Sequence, residues 1–167
     1  MKRHITLACC GMLIVGSGVV AQRREPDATR PRTVGVAIAL KAGGEAYAFA
    51  GQASCTHAPV ASIYGIVAEQ WFVQQADGAR SAQLTLWRPK NRSADMFSLS
   101  FGSGAASHRV NTIKAAGAPP PQGSGGVTLT PAGNGGTFAI SATAADGTAI
   151  TGTIKCDAFL PAIAEGG

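Results

Sequence analysis

Histidine and cysteine are scarce in this chain: three histidines and four cysteines in 167 residues. So small a supply excludes a histidine-rich copper or zinc centre. Charge is thin as well, with 14% charged residues and a formal net charge of +5, far below the footprint of a nucleic-acid-binding domain. There is no Gly-x-Ser-x-Gly elbow, so the strand-to-helix turn that presents a hydrolase serine is missing. Gly102-Ser103-Gly104 and Gly123-Ser124-Gly125-Gly126 are glycine-rich, but neither opens a helical pattern. A phosphate cradle needs strand, glycine turn and helix N-terminus together. Nowhere do apolar residues recur at helical spacing over a sustained stretch.

One long apolar run is present, Ile5 to Val20. Lys2, Arg3 and His4 precede it, and Val19-Val20-Ala21 places small residues before a cleavage point at Gln22. This three-part layout reads as a Sec-type secretory signal peptide over residues 1–21. The run is too short and too broken by Gly and Ser for a membrane span, and no second run follows. Cys9 and Cys10 precede most of it, which argues against a lipoprotein. Arg23-Arg24 follow it, which argues against a twin-arginine signal. Abundant Ala and Gly with few Lys match a high-GC bacterial genome. The expected destination is periplasmic or extracellular, and loss of Lys2 and Arg3 lowers the net charge from +5 to +3.

Cleavage removes Cys9 and Cys10 and leaves Cys55 and Cys156. In an oxidising compartment two lone cysteines form a disulfide. That bond takes the ligands from a Cys2His2 zinc site with His57 and His108. It also takes the free thiolate from Cys55-Thr56-His57, where a nucleophile and base would share a strand face. No metal, cofactor or catalytic residue is assigned.

From Thr33 onward the pattern is one of strands. Val34, Val36, Ile38 and Leu40 alternate with small residues, and Ala46–Ser54 carries Tyr47 and Phe49 on one face. Cys55–Ser62, with His57 and Pro59, reads as a loop, and Ile63-Tyr64-Gly65 as a short bridge into a strand near Glu69–Gln75. Further strands are expected at Gln83–Arg88, Met96–Phe101 and His108–Lys114. Ala115–Gly126, with Pro119-Pro120-Pro121, reads as a mobile loop. Asp146-Gly147 marks a hairpin between Thr137–Ala144 and Thr148–Cys156. A two-residue loop would put Phe138, Ile140 and Ala142 on the opposite face from Ile150, Ile154 and Cys156. A three-residue loop with Gly147 left-handed puts all six on one face, and register needs one buried face. Phe49-x-Gly51-x-Ala53-x-Cys55 echoes Ile150-x-Gly152-x-Ile154-x-Cys156, so both sulfurs are expected to point inward.

The expected fold is all-β: an antiparallel sandwich or flattened barrel of roughly eight strands with a Cys55–Cys156 disulfide. Residues 22–32 form a flexible leader, 33–160 a single β domain with the loop at 115–126, and 161–167 a tail. The densest basic cluster is Trp87-Arg88-Pro89-Lys90-Asn91-Arg92. Trp87, Arg88, Lys90 and Arg92 are the candidate binding residues, an aromatic surface with cationic clamps. Tyr64, Trp71 and Trp87 suit a ligand groove, although such residues more often fill a sandwich core. A strand pattern without a compact catalytic set points to a non-enzymatic structural or binding module of the envelope or extracellular space. Its partner would be an anionic envelope component or another protein. The alternatives are a hydrolase with a loop-assembled site on His57 or His108, and a secreted enzyme inhibitor.

Overall fold

The structure, a computed structural model, describes residues 32–103 and 106–162. The signal peptide expected at residues 1–21, residues 22–31 of the expected leader and the end of the expected C-terminal tail lie outside them. Nine strands follow one another: β1 (Val34–Ala42), β2 (Glu45–Ile63), β3 (Ile66–Asp77), β4 (Arg80–Pro89), β5 (Met96–Ser103), β6 (Ala106–Asn111), β7 (Ser124–Ala132), β8 (Gly135–Thr143) and β9 (Ala149–Cys156). A two-residue β10 (Leu160–Pro161) comes last. The nine form one antiparallel sheet in the order β6-β5-β4-β3-β2-β1-β9-β8-β7, with β10 parallel to β2. The sheet nearly closes into a barrel. At its seam Asn111 and Gln122 exchange two backbone hydrogen bonds of 2.8 Å.

Alternation puts the apolar residues inside. Val36, Ile38, Leu40 and Ala42 of β1 are buried. Their neighbours in the core are Leu84 and Leu86 of β4, Phe97, Leu99 and Phe101 of β5, and Phe138, Ile140, Ile150 and Ile154 of the last hairpin. Each fully buried side chain of this size stabilises the fold by about 1.5–3 kcal/mol. The buried Gln75 accepts a hydrogen bond from the Tyr47 hydroxyl, which removes part of the penalty for placing an amide in the core.

The last hairpin has the three-residue loop. Ala142 pairs with Ile150 and Phe138 with Ile154, Gly147 has φ of 86°, and its N–H donates to Ala144 O at 3.0 Å. Phe138, Ile140, Ala142, Ile150, Ile154 and Cys156 are all buried on one face.

Other expectations need correction. Cys55–Ser62 is not a loop but the second half of β2. Pro59 lies where the register with β3 shifts between Ala58 and Ala61, and such a bulge is where a strand can hold a residue with no N–H to give. Tyr64-Gly65 is the two-residue turn of the β2–β3 hairpin, with φ of 49° and 78°. β6 begins earlier than expected and stops at Asn111. β7 was not foreseen: it starts at Ser124, so the last three residues of the 115–126 loop are strand. β7 adds the ninth strand to the eight expected.

β2 belongs to both halves of the sheet. Val34–Ala42 pairs with Glu45–Ala53, whereas β3 pairs with Ser54–Ile63. Cys55 therefore stands just past the switch point, and its disulfide reaches Cys156 on β9 with the Cα atoms 6.3 Å apart. Both cysteines are buried, as their place on the apolar face requires.

Candidate functional site

β4 delivers the candidate residues by strand alternation. Leu84 and Leu86 point into the core, and Arg88 continues their face at the strand's end. Trp87 points to the other side. There it is half-buried in a second apolar cluster with Ile63, Ile66, Met96 and Ile113. Arg88 is committed within the fold: its Nε and Nη2 both donate to Asp95 Oδ2 at 3.2 Å. Its guanidinium lies 5.1 Å from the Trp71 ring centroid. Trp71 in turn stacks on His57, with centroids 4.7 Å apart and planes 10° from parallel. Planar cation on indole on imidazole is a stable stack.

Lys90 and Arg92 are placed differently. β4 ends in a turn in which Arg92 N–H donates to Pro89 O at 3.3 Å and Arg92 is left-handed with φ of 64°. The Asn91 side chain closes the turn, its Oδ1 accepting from Ser93 N–H at 3.0 Å and Ser93 Oγ at 2.8 Å. Both cationic side chains are exposed, and among the described residues neither forms an ion pair. The Lys90 N–H donates to Val67 O at 2.9 Å, which fixes this turn against the β2–β3 hairpin.

That hairpin holds what sequence reasoning missed. Val60, Tyr64 and Val67 are the large apolar residues left exposed among those described, at 60%, 49% and 52%. All three fall between the Pro59 bulge and the second residue of β3. Ile63 and Ile66, on the same hairpin, pack into the cluster around Trp87. The legible signal was the pairing of Tyr64-Gly65 as a turn between two apolar runs. Of the three aromatic residues open to either reading, Trp71 is core, Trp87 is half-buried in the second cluster and Tyr64 is on the surface.

The two histidines do not meet. His57 lies on β2 with Nε2 buried and unpartnered. His108 lies on β6, its ring 5.3 Å from that of Phe101. It lines a cleft of about 140 Å³ with Glu45, Tyr47 and Arg80. Arg80 stands 4.7 Å above the Tyr47 ring. Burial raises the Tyr47 hydroxyl above its usual pKa against the opposing pull of Arg80, and the hydroxyl donates to Gln75. Neither histidine is hydrogen-bonded to a carboxylate among the described residues. A second cleft, of about 350 Å³, lies beside Asp95, Met96, Lys114 and Gly123. Among the described residues no three of His, Cys, Asp and Glu gather as metal ligands, and no helix is long and apolar enough to cross a membrane. No family model, curated protein or solved structure matches the chain.

Proposed function

We propose that the chain is an exported, non-enzymatic binding module, and that it contacts an anionic component of the bacterial envelope through the segment Trp87–Arg92. The observation that carries this is the turn after β4, where Lys90 and Arg92 are exposed without acidic partners among the described residues and the turn is held beside the exposed Val67 by the Lys90 backbone hydrogen bond. Trp87 and Arg88 anchor the start of this segment on opposite faces of β4, one packed into the second cluster and the other tied to Asp95. The signal-like segment at residues 1–21 supports export, and the buried Cys55–Cys156 disulfide is compatible with an oxidising compartment. The hydrolase reading draws no comparable support, because His57 and His108 sit on separate strands and, among the described residues, neither is hydrogen-bonded to a carboxylate.

The test is charge reversal of the two unpaired cations. Each cation near an anionic surface contributes about 1 kcal/mol. The variant carrying Lys90→Glu and Arg92→Glu is therefore expected to bind an isolated envelope fraction about thirtyfold more weakly, or worse, in a co-sedimentation assay at low salt. Unchanged co-sedimentation would remove this site.

A further inference from the structure

The anionic component is, we infer, the surface of a lipid bilayer, with the β2–β3 hairpin entering the headgroup region; this rests on the binding reading above. The exposed large apolar side chains of the described residues are not scattered. Val60, Tyr64 and Val67 share one hairpin end, and that end projects. β4 accompanies β3 as far as the Ala68–Pro89 pair and Lys90 N–H adds one bond to Val67 O, so Ile66 and the Tyr64-Gly65 turn lie beyond it. On the other edge of β2, β10 pairs as far as His57, and Ala162 N–H donates to His57 O at 3.0 Å. Among the described residues, no strand lies beside the edge from Pro59 onward.

The projection is braced. Ile63 and Ile66 anchor its inner side against Trp87, Met96 and Ile113, so the outward Tyr64 and Val67 are held in place. Tyr64 has an apolar ring with a polar tip, the side chain enriched at membrane–water boundaries. Lys90 and Arg92 occupy the adjoining turn, at the level where phosphate headgroups would lie. The neighbouring carboxylates are Asp95, held by Arg88, and Glu69, opposite Arg88 in the β3–β4 ladder; against the three cations Arg88, Lys90 and Arg92 these two leave a net charge of +1. A folded protein partner is the poorer fit. Protein interfaces of ordinary strength need a broad, well-packed patch, whereas a narrow apolar tip with flanking cations is the arrangement that binds membrane surfaces.

The experiment uses the purified exported protein with three probes: vesicles of phosphatidylcholine, vesicles containing phosphatidylglycerol, and soluble dextran sulfate. Two variants accompany it. One carries Tyr64→Asn with Val67→Ser, asparagine being tolerated at the left-handed position; the other carries Val60→Ser with Val67→Ser, which leaves the turn untouched. Near-ultraviolet circular dichroism checks that both fold. The expected result is flotation with phosphatidylglycerol vesicles only, weakened at least about tenfold by either apolar variant, while dextran sulfate binding is unchanged by them. Dextran sulfate binding without vesicle binding, or vesicle binding indifferent to both variants, overturns the bilayer assignment and leaves the anionic-surface reading standing. Binding to neither anionic probe overturns both.

Discussion

Asp146 shows how much one side chain sets locally. Its Oδ1 accepts from Thr148 N–H at 2.9 Å inside the β8–β9 turn, and hydrogen bonding from Thr148 holds the carboxyl below its usual pKa. A pKa lowered in the folded state means that the stabilisation is complete above the ordinary carboxylate range. It is lost as pH falls through the lowered value. Asp146→Ala is therefore expected to lower the thermal midpoint at neutral pH, with the gap from the parent protein closing on acidification. A gap that persisted into strong acid would assign the effect to turn propensity alone. The candidate cluster teaches the complementary lesson. Trp87, Arg88, Lys90 and Arg92 are contiguous and look equivalent in sequence, yet Arg88 is bound by Asp95 and Trp71 while Lys90 and Arg92 are not. A list of neighbours in the chain cannot distinguish a paired cation from an unpaired one, because the partner comes from another strand or loop.

At the scale of the element, strands were legible where local chemistry and burial agreed. β1, β5 and the β8–β9 hairpin each show alternation bounded by turn residues, and the requirement for one buried face selected the correct loop length. They were illegible where a residue with a turn-forming reputation sits inside a ladder. Pro59 concealed the second half of β2, and Gly125, Gly126 and Pro131 concealed β7, which β8 pairs along its whole length. β9 shows why a glycine belongs in such a place. Gly152 has φ of 145°, and a Cβ there would run into the Ala39 carbonyl of β1. Gly152→Val is expected to destabilise the protein by about 2 kcal/mol or more, because the strand must shift. Gly126→Ala, where a Cβ meets nothing within 4 Å, is expected to change stability by less than about 0.5 kcal/mol. Urea unfolding of the two variants measures the contrast, and equal losses would refute the steric account.

For the whole molecule, the disulfide joins the point where β2 changes partners to the end of β9, across a sequence separation of 101. In the chain-entropy model a loop of ~100 residues contributes ~4.7 kcal/mol, and measured values run to about 2–4 kcal/mol. The double variant Cys55→Ala, Cys156→Ala is expected to lose about 2–4 kcal/mol of unfolding free energy in a urea titration, and a loss near zero would show that the sheet holds this junction unaided. The strand order adds something about time. Seven of the eight adjacent pairings in the nine-stranded order join consecutive strands; β1 with β9 is the exception. Local hairpins can zip as soon as their turns exist, whereas a distant pairing waits for its partner. In a chain delivered N-terminus first, β1 therefore has β2 on one side and nothing on the other until the last long strand arrives. For that interval its open edge is the part of the nascent molecule most apt to capture a foreign strand.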